Sequence, residues 1–583
     1  MFLVTRSRNL SRLTLPVSPC FRRITLSSYF HAEVLSRRPE RPALICPQER
    51  PRAHGGPLPR NMGVDGHLAW DFGEFHRHIG ALARGLVSLG VKKGDRVGVV
   101  MGNVSAYAML QWACANIGAI LVTINPAYRI RELIETVRVV GVSHLFLVPQ
   151  IRTSSYLTLL AEALPALRRS SPGDIQEEAL PDLKHVVVVD NTHQPKKFHE
   201  MLGDIHCAVD FREILLWQGG DSRESRILTH YNLLNNAISI GQAMRLTRND
   251  IVCNPPPLFH SRLVLGNLAA WCHGSAIVYP SEIYDPRAIV DAVIDERCTA
   301  LHGVPTHFLG VLAEIERREQ SGENLDFSRL RTGIAAGSPV PIDLMKQLIA
   351  KLNLRELTIA YGMTETSPVS FQTTLADSIT QRVETVGMVR PHVMAKVVDL
   401  SGKVAPVNMP GELLVSGYLL QKCYWGDIDQ TDLVMRKDED GRLWMHTGDQ
   451  ATMDSEGYLR IVGRIKDIII RGGENLFPVQ IENALLSNPS ILEAAVVSVP
   501  DGKYGEVVGA WIRRKAGSKL SRESVRKIVW ESMNPQNAPG WVWFLGEEGT
   551  PKELPKTASG KVQKHILRGW SRELAENRIG LAQ

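Results

Sequence analysis

Between residues 86 and 190, short unbroken apolar runs alternate with stretches of helical spacing, and this alternation restricts the fold more than any other feature of the chain. A strand with one wet face alternates apolar and polar residues, whereas a continuous apolar run needs cover on both faces. The runs at 97–101, 119–124, 144–148 and 186–190 are predicted strands, with helices at 106–116 and 131–139 between them. Strands and helices in turn predict a doubly wound α/β arrangement. After Gly411 the texture changes to GELLVSGY, RLWMHTGD and GYLRIVG, short strands and turns of a β-rich subdomain. From Asp467 a small α+β unit is expected, with a helix at 478–486 and a strand at 493–499. A chain of 583 residues exceeds what one core supports, so several domains are expected. The expected division is an arm at 1–32, a large domain at 33–463 and a small mobile one at 464–583.

Composition removes several classes. The net charge of +6, from 67 basic and 61 acidic residues, is a weak bias, and no basic cluster marks a nucleic-acid surface. The stretch 106–124 is apolar enough to raise a membrane span, but Gln111, Asn116 and Gly118 interrupt it. It reads instead as a buried helix followed by a strand, so no transmembrane segment is expected. Cysteines at 20, 46, 114, 207, 253, 272, 298 and 423 show no CxxC spacing, which predicts core thiols rather than disulfides or a zinc site. Before Glu33, the first acidic residue, stand Arg6, Arg8, Arg12, Arg22 and Arg23 among Ser, Thr and Leu. That composition predicts a mitochondrial transit peptide, with an addressless disordered arm as the alternative. Peroxisomal and cytoplasmic locations stay as alternatives, although the final Leu-Ala-Gln is not the usual peroxisomal tripeptide.

Four stretches carry candidate chemistry. YGMTETSP at 361–368 follows the apolar run LTIA, so it is a strand entering a loop, the place where open α/β sheets bind ligands. HTGD ends at Asp449, GRIKDIIIRGGEN spans 463–475, and PKTASGK ends at Lys561. Together with AAGSP at 335–339, these motifs resemble those of the adenylate-forming acyl-CoA synthetases. INPAYR at 124–129 and HYNLLNNA at 230–237 bring the likeness closest to the medium-chain fatty acyl-CoA synthetases related to acyl-CoA synthetase family member 2. The likeness spans about residues 34–568.

The resemblance implies ligation of a carboxylic acid, here an aliphatic medium-chain one, to coenzyme A through an acyl-adenylate made from ATP and Mg2+. It implies that Tyr361 and Gly362 border the adenine, that Thr364 meets phosphate and that Glu365 holds the metal with Thr364. Gly337 would line the adenine and acyl carboxylate, and Asp449 would accept the ribose hydroxyls, since an ionised carboxylate only accepts. Arg464 would reach the nucleotide, Lys466 would be the hinge, and Gly472 and Gly473 would line the pantetheine channel. His260 would orient the acid. Lys561 would stabilise charge on the α-phosphorus as pyrophosphate leaves. A ligase for another acid of a specialised pathway remains open.

At two places the chain departs from the family pattern. After His260 it reads Ser-Arg-Leu, short of the usual glycine-containing turn. Before ILTHYNLLNNA it reads FREILLWQGGDSRES, with no Ser/Thr/Gly loop and lysine to cradle the β- and γ-phosphates. A central strand is expected to be missing with that loop. Either coding sequence was skipped and the native enzyme is intact, or a paralogue has become a binder without turnover. Retention of the other motif positions favours the first.

Overall fold

The computed structural model describes residues 12–14, 24–203, 205–217, 230–259, 261–337, 340–515, 517–547, 549–556 and 562–582; at 12–14, 230 and 261–265 only the backbone is described. The predicted alternation is present. Arg96–Val100, Ile120–Thr123, His144–Leu147 and His185–Val188 are strands, and Ser105–Ile117 and Ile130–Val140 are helices. With Ala208–Asp210 these strands form a wholly parallel sheet of five. The helix Ser105–Ile117 is buried nearly all round and ends at Gly118, whose φ of +75° sets the left-handed cap. This explains the apolar stretch at 106–124 without a membrane. No helix among the described residues is long and apolar enough to span one.

A nine-stranded sheet lies beside it. Its order is Met388–Val389, Val369–Gln372, Glu356–Gly362, Thr332–Ala336, Ala300–Leu301, Ile251–Cys253, Ala276–Val278, Pro42–Cys46 and Leu68–Asp71. The six strands from Glu356–Gly362 to Pro42–Cys46 run parallel, and antiparallel strands close both ends. The expected gap from a missing central strand is not seen: each described strand pairs with its neighbour. The residues ahead of the departure pack against the helix Phe72–Ser88 and the bend at Gly56. Leu216 N–H donates to the Ala81 carbonyl at 3.2 Å, and the Trp217 ring lies where a Cβ on Gly56 would sit, 2.3 Å away.

The end of the expected arm is also packed. Leu26 and Phe30 are buried, and Phe30 lies 4.6 Å from the Trp112 ring. The β-rich part is an antiparallel sheet of Arg12–Thr14, Val393–Val398, Gly411–Gly417, Leu443–Met453 and Met435–Lys437, with Leu459–Arg464 paired to Leu443–Met453. Beyond it, Glu474–Leu476, Ile469–Arg471, Gly505–Arg514, Ile491–Asp501 and Trp541–Phe544 make the last sheet, against which the helices Pro478–Leu486, Arg522–Ser532 and Lys564–Glu576 pack. The described cysteines carry no disulfide; Cys423 is exposed and the others are buried. No group of three or more metal-ligating side chains occurs among the described residues.

Candidate active site

The candidate residues gather where the parallel strands of the nine-stranded sheet end. Thr332–Ala336 runs into Gly337, whose φ of +99° turns the chain, and Val304 packs so close that a Cβ there would sit 3.3 Å from it. Glu356–Gly362 delivers Tyr361. At Gly362 the register to Val369–Gln372 shifts, and a Cβ would lie 1.7 Å from the Pro368 carbonyl oxygen, so only glycine fits. The one-turn helix Thr364–Thr366 follows, with Thr364 exposed and Glu365 half-buried. Asn236, in the helix His230–Ala243, fixes the returning strand: its amide donates to the Val369 carbonyl at 2.9 Å and accepts the Val369 N–H at 3.2 Å.

Asp449 reaches the same place from the antiparallel sheet. The strand Leu443–Met453 bulges against Glu412, and Gly448 takes a φ of +69° there. Glu412 anchors the bulge by accepting from His446 Nδ1 at 2.9 Å and from the Gly448 N–H at 3.2 Å. Asp449 is thereby buried, with Arg464 as its cross-strand partner. Its carboxylate accepts the Tyr361 hydroxyl at 2.5 Å and pairs with Arg464 Nε at 3.0 Å. Burial and the adjacent Asp449 charge push the Tyr361 phenol far above its ordinary value, so Tyr361 remains a protonated donor.

Glu365 is held as well. Its Oε1 accepts the Tyr424 hydroxyl at 2.9 Å, and its carbonyl accepts the Gln421 N–H at 2.8 Å. Burial and Glu365 raise the Tyr424 phenol to about 12, so it too donates at neutral pH. A carboxylate steered by a neutral hydroxyl, next to the Thr364 hydroxyl, is a hard oxygen donor set that suits Mg2+.

Lys466 is exposed in the turn Ile465–Asp467, and its carbonyl accepts from Arg568 Nη2 at 3.3 Å. Gly472 and Gly473 lie in the last sheet, at the two positive-φ positions of a tight hairpin between Ile469–Arg471 and Glu474–Leu476. His260 and Lys561 lie outside the described residues, as does the departing segment 218–229. The structure thus joins Tyr361, Asp449 and Arg464 in one hydrogen-bonded chain and leaves Gly472 and Gly473 in a separate sheet.

Sequence reasoning missed Tyr424, which is 59 residues from the carboxylate it holds. It also missed Asn103, buried at the end of Arg96–Val100. The Asn103 amide donates to the Pro256 carbonyl at 2.9 Å and accepts the Leu258 N–H at 2.9 Å, which clamps the loop leading to His260. The short turn Met-Gly-Asn after a predicted strand was the one available sign of it.

Comparison with known proteins addresses the family and the fold. The sequence profile of the family "AMP-binding enzyme" matches residues 32–204 and 227–425, and that of "AMP-binding enzyme C-terminal domain" matches 480–561. The first match breaks off across the segment identified above as a departure. The acyl-CoA ligase sidI of Aspergillus fumigatus is 40% identical over 523 residues, 88% of this chain and 88% of its own length. The mitochondrial medium-chain acyl-CoA ligase ACSF2 of Danio rerio is 34% identical over 531 residues, 88% and 84% of the two chains. In fold, the chain is similar to the anthranilate CoA ligase AuaEII in complex with anthranoyl-AMP, with a TM-score of 0.76 at 20% identity over 96% of this chain and 99% of that one.

Proposed function

The chain belongs to the AMP-binding enzyme family and is an AMP-forming acid:CoA ligase, and from that premise we propose that its acid is an aliphatic one of medium length and that the motif residues act as follows. Asp449 accepts the ribose hydroxyls, Tyr361 and the Gly337 turn flank adenine and the acyl carboxylate, and Arg464 reaches the nucleotide. Glu365 and Thr364 hold Mg2+, which when bound supplies positive charge to the phosphate oxygens. His260 orients the acid. The carboxylate oxygen attacks the α-phosphorus of ATP, and the bond to pyrophosphate breaks. Lys561, carried on a small lobe that begins at residue 464, stabilises the added charge most in the transition state. The lobe then turns about Lys466, Gly472 and Gly473 border the pantetheine, and the CoA thiol displaces AMP.

The observation that carries the reading is the chain Tyr361–Asp449–Arg464, which holds a buried acceptor at the end of the strand Glu356–Gly362, the neighbour of the strand that runs into Gly337. The test is pyrophosphate release from ATP and Mg2+ with octanoate, compared between the native chain and Lys561→Ala. Activity lost with the lysine supports the reading, and adenylation retained at full rate refutes it.

A second reading, a ligase for some other carboxylic acid, draws on the relative sidI, whose identity exceeds that of the medium-chain relative. A third, a binder without turnover, draws on the missing phosphate loop, and ATP binding without pyrophosphate release would identify it. Mitochondrial import is proposed from the arginine-rich residues before Glu33 and the mitochondrial relative. A fluorescent protein fused behind residues 1–40 that stays outside mitochondria would refute it.

A further inference from the structure

Two neighbouring strands of the nine-stranded sheet are followed by buried polar side chains that each keep one atom without a hydrogen-bond partner. Asn254 follows Ile251–Cys253 and His302 follows Ala300–Leu301; the second of these parallel strands lies next to the one that runs into Gly337, and the first lies beyond it. Both are buried, 0% and 3% exposed. The Asn254 amide nitrogen donates to Asn267 Oδ1 at 2.8 Å, and Asn267 in turn donates to the Tyr279 hydroxyl at 2.7 Å. That chain fixes the amide and leaves Asn254 Oδ1 an acceptor with no donor. His302 Nδ1 accepts the Ile334 N–H at 3.3 Å, so in the neutral ring the proton sits on Nε2, which has no acceptor. Burial lowers the imidazole to about 4, so it is neutral at physiological pH.

The two atoms face one spot. A Cβ built on Gly266 would lie 3.5 Å from His302 Nε2 and 3.9 Å from Asn254 Oδ1. The nearest atom to that Cβ would be His302 Cδ2 at 3.2 Å, and glycine at this position of the helix Ser261–Cys272 places no side chain of its own over the pair. An orphaned donor and an orphaned acceptor are each costly to bury, and native structures rarely tolerate them without a partner. A plain alkyl chain would leave both unmet. A carboxylate or carbonyl would satisfy the donor alone, and an ammonium the acceptor alone. A hydroxyl satisfies both, because it donates one hydrogen bond and accepts others.

We propose that Asn254 and His302 form a subsite for a hydroxyl on the acyl chain, so that the substrate is a hydroxylated aliphatic acid; this rests on the ligase reading above. The position of the hydroxyl follows from the backbone. Val304, which packs on the Gly337 turn, is two residues from His302, about 7 Å of extended chain. The hydroxyl therefore sits within the first half-dozen carbons from the carboxylate.

The test uses 5′-O-(N-acylsulfamoyl)adenosines titrated calorimetrically into the full chain, because binding needs no turnover. The acyl groups are hexanoyl, 3-hydroxyhexanoyl, 5-hydroxyhexanoyl and the two matching keto forms. One hydroxy form should bind about tenfold to a hundredfold more tightly than hexanoyl. His302→Leu should erase that preference while keeping hexanoyl affinity. Gly266→Ser, which places its own hydroxyl at the spot, should erase it too, and this second variant guards against a misfolded first. Equal binding of hydroxy and plain forms, as expected if a trapped water fills the spot, overturns the subsite alone. So does a keto form that binds as well as its hydroxy partner, or a preference that survives both variants. If no analogue binds, and AMP does not bind either, the ligase reading falls and the subsite falls with it.

Discussion

Replacing Asp449 by Asn preserves shape and removes charge, which isolates what the buried carboxylate contributes to nucleotide binding. In the free protein Asp449 holds two donors, the Tyr361 hydroxyl at 2.5 Å and Arg464 Nε at 3.0 Å. The Arg464 side chain is 49% exposed, so that ion pair is screened and contributes at most about 1 kcal/mol. Asparagine keeps one acceptor for Tyr361, so the fold should lose no more than about 1–2 kcal/mol. A ribose diol presents two further donors, and the amide nitrogen of asparagine cannot accept from the second. One charge-assisted hydrogen bond is then lost, about 1.5–3 kcal/mol, which weakens AMP binding about tenfold to 150-fold. The assay is calorimetric titration of AMP and of 2′,3′-dideoxy-AMP into both proteins, read as a double-mutant cycle. The dideoxy nucleotide should bind the native protein more weakly than AMP does, and this difference should shrink in Asp449→Asn. If the variant binds AMP as tightly as the native protein, or if the penalty for dideoxy-AMP is undiminished in it, Asp449 does not hold the ribose.

Tyr424→Phe removes the one hydroxyl that donates to Glu365 Oε1, so the Mg2+ needed for half-maximal ATP binding should rise about threefold or more, with little effect on AMP binding; an unchanged Mg2+ titration refutes the positioning role. Gly362→Ala drives a Cβ to 1.7 Å from the Pro368 oxygen and should cost more than about 3 kcal/mol in urea unfolding, whereas Gly66→Ala, with nothing within 4 Å of the new methyl, should be nearly neutral. Burial holds His54 at about 3 and His78, His144, His302 and His307 at about 4. Below the unfolded value of 6.5 the unfolded chain takes up protons that these rings refuse, so each loses about 1.4 kcal/mol of stabilisation per pH unit down to its folded value. Glu282, raised by burial to about 7, works the other way as pH falls toward 4.5, and the buried Glu49 is raised likewise, but the histidines outnumber them. The melting temperature should therefore drop by several degrees between pH 7 and pH 5, and a rise on acidification would refute this balance.

What could be read along the chain was what lies close together along it. The apolar runs and helical stretches between 86 and 190 became strands and helices within a residue or two, because cover on both faces writes itself into consecutive residues. The helix Pro478–Leu486 likewise starts at its proline, whose missing N–H costs nothing in the first turn. The order of the nine-stranded sheet could not be read. Pro42–Cys46 pairs with Ala276–Val278 across more than two hundred residues, and Ala300–Leu301 is too short to leave a periodic trace. The same division runs through the site. Tyr361 and Glu365 share one motif, but the Tyr361–Asp449 bond joins residues 88 positions apart and exists only because two sheets meet there. Tyr424, Asn103, Asn254 and His302 each look ordinary in their own segment. They acquire meaning through what they face: a carboxylate, a loop carbonyl, and a spot beside a glycine.

The same reasoning bears on the departure before residue 227. A lost central strand should have opened the larger sheet, yet its described strands pair in sequence from Met388–Val389 to Leu68–Asp71. The residues just ahead of the break are not loose either, since Trp217 stacks edge-on against His78 at 4.9 Å. Chain on both sides of the break therefore retains its packing, and the HYNLLNNA helix still fixes Val369 through Asn236. The described residues keep the paired sheets, the buried Asp449 and the Glu365 held by Tyr424, while the sequence before residue 227 carries no Ser/Thr/Gly loop with a lysine to cradle the outer phosphates. This separates two measurements. AMP and acyl-adenylate analogues, which carry no β- or γ-phosphate, should bind this chain through Asp449 and Tyr361. ATP should gain little over AMP, and reinsertion of a Ser/Thr/Gly segment with its lysine between Gly220 and Ile227 should restore that gain. ATP binding far tighter than AMP in the unaltered chain would mean that other groups cradle the outer phosphates.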